Sequence, residues 1–313
     1  MRRILLATDG SEHALGSAAY LADLYKGTSD AEITVLHISP PVPPIYREER
    51  KDPQIRKVYE AWKKKKEHEA KRYIEDSAEV LQDGGVKRSQ IKAGHAQQIV
   101  GVARDILREA DAGHYDACVI GKKGMGWFED MFLGSITSKL LEISENHPIW
   151  LVSGKKWNSR KVLVAMDQTA QIVQLARYVG QMLRGLEGVK IRFYHYFAPF
   201  MENLTTEERK KMKEFEKRVA EKERDRMFHF FGEAQRVLED LGFSKKGVEY
   251  EVFKGESAST KKISQRILKE VREGKHGSLV IGRKGATGAR EFRLGSVARR
   301  IATEAENCAV WVV

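Results

Sequence analysis

The sequence predicts an α/β protein of two doubly wound domains, each a five-stranded parallel sheet with helices on both faces. Three observations carry that expectation. The chain repeats itself: Gly121-Lys-Lys-Gly124, nine residues, then Gly134-Ser135 returns as Gly282-Arg-Lys-Gly285, nine residues, then Gly295-Ser296. The offset is constant, since 282 − 121, 285 − 124 and 295 − 134 all give 161. Within each copy, short apolar runs alternate with longer amphipathic ones, the pattern of βαβ units with right-handed crossovers. Each copy also closes on a similar apolar run, 149–152 and 310–313, with Trp150 and Trp311 again 161 apart.

The first copy opens on an apolar strand at 3–7 that ends in Thr8-Asp9-Gly10-Ser11, a turn with residues suited to capping a helix. A helix follows over 12–25 and a strand over 33–38, stopped by the proline-rich 40–44. The spacing predicts a long helix over 54–82 that ends at Gly84-Gly85. A short strand at 89–93, a helix at 96–110, a strand at 116–120, a helix at 135–144 and a strand at 149–152 complete the copy. In the second copy the strands are placed at 161–165, 189–196, 248–253, 278–281 and 310–313, with helices over 207–241 and 261–270. Early landmarks (Asp9 and Asp167, His37 and His195) are 158 apart, whereas Gly94 and Gly255 are 161 apart. Three extra residues are therefore expected between the second and third strands of the second copy, in its longer second helix. The domains are placed at 1–153 and 161–313, joined by the polar linker 154–160.

At 313 residues the chain has room for two cores. Its 42% hydrophobic and 32% charged residues fit a globular protein, and no apolar run is long enough to span a bilayer. The N-terminus reads as a first strand, not a signal peptide. Cys118 and Cys308 lie at non-equivalent positions outside any metal-binding spacing, so a reduced, cytoplasmic protein is expected. The net charge of +11 raises the question of nucleic acid. Much of it, however, lies in 56–72 and 209–226 interleaved with glutamates, the pattern of a solvated helix face, which weighs against a nucleic-acid partner.

The repeated glycines carry the chemistry. A phosphate is approached by backbone N–H groups, and glycine lets the chain come close. Gly134-Ser135 and Gly295-Ser296 open helices whose exposed N–H groups favour anions. Asp9 and Asp167 at strand ends suit a ribose hydroxyl, a metal bridging phosphates, or simple helix capping. In parallel sheets ligands bind at the carboxyl ends of strands where the strand order reverses, between the first and fourth strands here. No Gly-Lys-Ser/Thr follows, so this is not a Walker loop. His37 and His195 read as structural, because no nucleophile pairs with them in sequence; no catalytic residue is assigned.

With Gly-x2-Gly-x9-Gly-Ser complete in both halves, Ala7-Thr-Asp-Gly-Ser11 after the first strand and Pro148-Ile-Trp-Leu-Val152 at the close, the chain resembles the universal stress protein family in its tandem, ATP-binding form. The resemblance covers essentially the whole chain. It implies Rossmann-like (adenine nucleotide alpha hydrolase-like) sheets of order 3-2-1-4-5, and fifth strands that pair, joining the domains within one chain or in a homodimer. It further implies ATP, with Mg2+, in both halves. Asp9 and the backbone around Val35 to His37 would hold the adenosine, and Gly121, Gly124, Gly134, Ser135 and Ile136 the phosphates. In the second half Asp167, residues near Tyr194, Gly282, Gly285, Gly295, Ser296 and Val297 would do the same. The expected function is a cytoplasmic stress-response regulator that binds adenine nucleotide, responds through a protein partner, and at most hydrolyses ATP slowly or phosphorylates itself. The alternative is a nucleotide-processing enzyme, against which stands the lack of a pyrophosphate loop or a His-x-Gly-His pair. The copies differ in detail: Thr137 offers a hydroxyl where Ala298 has none, and the second glycine loop carries Arg290 and Arg293 where the first has Glu129 and Asp130.

Overall fold

The computed structural model describes residues 1–49, 51–122, 134–145, 147–167, 171–198, 205–283 and 294–313. These fall into two compact units that divide between Lys155 and Lys156. The first unit comprises β1 (Arg2–Ala7), α1 (Glu12–Tyr25), β2 (Ala31–Ser39), α2 (Pro44–Glu48), α3 (Pro53–Asp83), β3 (Ile91–Gln97), α4 (Val102–Gly113), β4 (Ala117–Gly121), α5 (Ser135–Ile143) and β5 (Ile149–Val152). Its strands run parallel in the order β3-β2-β1-β4-β5, with Ile4 opposite both Ile33 and Ala117. The second unit comprises β6 (Lys161–Met166), α6 (Gln171–Leu183), β7 (Lys190–Phe197), α7 (Thr206–Asp240), β8 (Val248–Lys254), α8 (Thr260–Glu273), β9 (Ser278–Ile281), α9 (Ser296–Glu304) and β10 (Ala309–Val312). Its parallel order β8-β7-β6-β9-β10 is the same 3-2-1-4-5 arrangement.

Central strands are apolar because both their faces are covered by helices. Every residue of β2 is buried, as are Ile4, Leu5 and Leu6 of β1. Trp150 and Trp311 are fully buried, and each meets a tyrosine edge-on: Tyr20 at 6.5 Å and Tyr178 at 6.4 Å between ring centres. Helix starts follow the capping residues. The Ser11 hydroxyl accepts the Ala14 N–H, and Asp52 accepts from Gln54 and Ile55 ahead of Pro53 at the first helical position. Helix α2 was not foreseen; Pro44 starts it.

Two expectations are corrected. The third strand runs on to Gln97 and its helix begins at Val102, not near Ala96. The loop between them is set by Asp105, whose carboxylate accepts the N–H groups of Ile99, Val100 and Gly101 at 2.8, 3.3 and 3.2 Å. The extra residues of the second copy also lie elsewhere. Gln98 N–H bonds to the Ser39 carbonyl as Gly255 N–H bonds to that of Phe197, so 98 matches 255, an offset of 157. Gly94 lies inside β3 opposite Leu36, and its match to Gly255 is a coincidence of composition. The buried residues Ala103, Ile106, Leu107 and Ala110 of α4 correspond to Ser264, Ile267, Leu268 and Val271 of α8, an offset of 161. Since 161 − 157 is 4, four residues enter after the third strand, at the start of α8. Helix α7 is indeed longer than α3, 35 residues against 31, but a shorter preceding loop offsets the gain.

Candidate functional site

In the first unit the carboxyl ends of β1 and β4 diverge and leave a cavity of about 450 Å3. Its wall includes Asp9, Gly121, Gly134, Ser135 and Ile136, five of the residues singled out from the sequence, together with His13, His37, Thr137, Val102 and Ile106. Val35 is not part of it: it is fully buried in the sheet opposite Leu6, and its neighbours Leu36, His37 and Ile38 reach the cavity instead. The physical reason is depth, since Val35 lies one pair below the end of β1. Gly124 lies outside the described residues.

Each wall residue has a local cause. Asp9 accepts the Ser11 N–H at 3.0 Å, and Gly10 takes φ +74°, where its bare Cα faces the Tyr73 ring. Thr8 bonds to Ser77 at 2.9 Å, and its carbonyl accepts from His37 Nδ1 at 2.9 Å. The turn after β1 is therefore tied to both β2 and α3. His37 stacks on His95, 6.2 Å between ring centres, and the Ser39 hydroxyl lies 2.8 Å from His95 Nε2. Burial and the neighbouring His37 hold His95 below the usual histidine range, with Glu67 opposing. Gly121 lies against the first turn of α1, where a Cβ would overlap the His13 backbone. Gly134 is different: among the described residues the nearest atom to a Cβ there is Thr137 Oγ1 at 3.9 Å, so none of them imposes a need for glycine. Helix α5 begins at that glycine with no side chain capping it, so its first N–H groups face the cavity side unpaired by a cap.

The second unit repeats the arrangement with a cavity of about 380 Å3. Asp167, Gly282, Gly295, Ser296 and Val297 line it, and Tyr194 does not; Tyr196 does. Gly285, Arg290 and Arg293 lie outside the described residues, as do Glu129 and Asp130 of the first loop. Helix α9 likewise starts at Gly295 without a side-chain cap. Beneath this cavity His195 is bound by the Met166 carbonyl and by Glu223. Tyr196 donates to the Ser257 carbonyl at 2.8 Å.

The sequence reading missed Val102 and Ile106, and Ile263 and Ile267, which supply the apolar wall. Their four-residue spacing is visible in sequence but is equally the signal of an ordinary core helix. It missed Thr260 because that residue belongs to the misplaced insertion. Among the described residues no group of three or more His, Cys, Asp or Glu is placed to hold a metal, and no helix is long and apolar enough to cross a membrane.

The model of the Universal stress protein family matches this chain twice, over residues 1–152 and 158–313. Comparison with curated proteins gives no match. Among solved structures, the fold is similar to that of a universal stress protein from Archaeoglobus fulgidus, 19% identical, over 99% of this chain and 95% of that one, with a TM-score of 0.56. It is also similar to a putative universal stress protein from Pseudomonas aeruginosa, 15% identical, over 100% and 93% of the two chains, with a TM-score of 0.60.

Proposed function

The chain belongs to the universal stress protein family, and we propose that it is a cytoplasmic regulator of the stress response that binds ATP with Mg2+ at the carboxyl ends of its sheets. Bound nucleotide switches its conformation or its choice of protein partner, with at most slow hydrolysis or self-phosphorylation. The observation that carries this reading is the cavity built twice between first and fourth strands, each time beside a Gly-Ser helix start without a side-chain cap. An uncapped helix N-terminus facing a cavity favours a phosphate.

In this reading Asp9 and Asp167 accept a ribose hydroxyl. Within the stretch 35–37, the backbone of Leu36 and His37, which reach the cavity, holds the adenosine, and Val35 lies too deep in the sheet. Gly121, Gly134, Ser135 and Ile136, with Gly124 from the glycine loop, hold the phosphates, as do Gly282, Gly295, Ser296 and Val297 with Gly285. Absence of a Cβ at Gly134 matters to the ligand rather than to the protein, since the space beside it is open. Mg2+ normally keeps several waters and takes one or two carboxylates plus nucleotide phosphates. A wall with a single aspartate fits an ion carried in on the nucleotide.

Equilibrium dialysis of the full chain against MgATP tests this directly. Saturable binding in the micromolar-to-millimolar range is expected. No adenine nucleotide bound in that range sinks the reading, and rapid release of pyrophosphate or phosphate moves it to an enzyme.

A further inference from the structure

The two cavities differ in one feature that the insertion creates. Between Gln98 and Ala103 the first repeat has four residues, 99–102; between Gly255 and Ser264 the second has eight, 256–263. The short connection is held down by Asp105, and α4 begins one residue before Ala103. Position 105 corresponds to Arg266, which cannot accept N–H groups and turns instead to Tyr194 at 3.0 Å and Glu270 at 3.1 Å. Released from that constraint, the longer connection adds a turn to α8, which begins four residues before Ser264 under a Ser259 cap. The added turn carries Thr260 onto the cavity wall, where its Oγ1 lies 3.0 Å from Ser296 Oγ.

Ser296 is the serine of the second Gly-Ser pair. Its counterpart Ser135 lines the first cavity together with Val102, the first residue of α4, whose side chain has no hydroxyl. The next positions diverge in the same direction: buried Thr137 lines the first cavity where Ala298 lines the second. The wall residue Ile38 corresponds to Tyr196 at the offset of 158.

We propose that Thr260 is a specificity-determining residue that occupies the Ser296 hydroxyl, so that the chain binds nucleoside triphosphate in two unequal steps, first in the N-terminal cavity and then, more weakly, in the C-terminal one. This rests on the nucleotide reading above. A phosphate only accepts and so needs the single Ser296 O–H. With Ser296 taken as the donor to Thr260, a phosphate entering the second cavity must break that bond, and it finds no hydroxyl at Ala298. Adenosine has no phosphate and does not meet this competition. One hydroxyl–hydroxyl bond has a net worth that corresponds to about two- to tenfold in affinity.

The test is a calorimetric titration of the full chain with MgATP and, separately, with adenosine, in the parent, Thr260→Val and Gly134→Val. The parent shows two steps, or one followed by a second too weak to resolve. Gly134→Val, which places a side chain in the open space of the first cavity, removes the tighter step. Thr260→Val, a change at a solvent-accessible hydroxyl that leaves the fold intact, tightens or reveals the weaker MgATP step by about two- to tenfold. It leaves the first step and adenosine unchanged. If Thr260→Val leaves the weaker step as it was, the proposal fails. If it weakens that step, Thr260 is itself a phosphate donor and the proposal also fails. If the parent binds MgATP in neither cavity, the nucleotide reading fails first. Equal steps in the parent, with nucleotide bound, sink the asymmetry alone.

Discussion

His195 Nε2 lies 3.1 Å from Glu223 Oε1, while its Nδ1 lies 3.2 Å from the Met166 carbonyl. The carbonyl can only accept, so Nδ1 donates to it, and Nε2 faces the Glu223 carboxyl. His195 and Glu223 are both buried, and Glu223 is held in turn by Arg226 at 2.7 Å. The first repeat keeps the first bond, His37 to the Thr8 carbonyl, but has Lys66 at the position of Glu223. The turn after the first strand is thus secured by a histidine in both units, and in the second that histidine is anchored by a carboxyl group from α7.

Removing one member of this pair leaves a buried polar atom of the other without its partner. Glu223→Leu is expected to destabilise the second unit by about 1–3 kcal/mol. The pair His195→Phe with Glu223→Leu should cost less than the sum of the two single changes, because no buried polar atom is then stranded. Urea unfolding of the four proteins measures this. Equal midpoints for parent and Glu223→Leu would show that the pair contributes nothing.

Gly121 and Gly134 belong to one motif but serve different ends. Gly121→Ala forces a Cβ into the His13 backbone and should cost about 1–3 kcal/mol through overpacking. Gly134→Ala meets nothing closer than 3.9 Å and should leave the melting temperature of the free protein unchanged. Thermal melts of the two variants distinguish the roles; a large loss for Gly134→Ala would contradict this division.

Asp105 gives a pH dependence. Burial alone would raise its pKa, but the N–H groups of Ile99, Gly101 and Val100, with Arg108, outweigh it and hold the carboxyl below its ordinary value. A depressed folded-state pKa adds stability that is present above the unfolded value and lost as pH falls through the folded one. Asp105→Asn should therefore lower stability at neutral pH by about 2 kcal/mol and narrow its gap to the parent as pH falls below the ordinary aspartate value of about 3.9. A pH series of denaturant midpoints checks this, and a constant gap would exclude the charge as the cause.

Hydrolysis, where it occurs, should be far slower than the enzyme median of roughly 10 per second. A water-activating base must reach the terminal phosphate. Of the titratable side chains that the described residues place on the first cavity's wall, His37 is engaged by the Thr8 carbonyl and Asp9 accepts the Ser11 N–H, which leaves His13 as the candidate base. Phosphate release from MgATP, followed over hours, measures the rate. Turnover near the median would make the protein an enzyme first.

The sequence by itself determined the strands, the long second helices and the placing of both Gly-Ser starts, because each is written in contiguous residues. Alternation of apolar and amphipathic runs marks βαβ units, and a spacing repeated 161 residues later marks a second copy of the same turn. What lies across the chain was decided only by the tertiary structure. Gly94 and Gly255 look equivalent in sequence, yet the hydrogen bonds of Gln98 and Gly255 to the second strands show otherwise. Val35 and His37 differ by two residues in sequence, but one is sealed in the sheet and the other faces the cavity, because the neighbouring strand β1 ends opposite Leu36. Asp105 and Thr260 look like ordinary surface residues of amphipathic helices. Their work depends on a loop folded back onto a carboxylate and on a helix turn brought beside another helix start, and neither contact has a period along the chain.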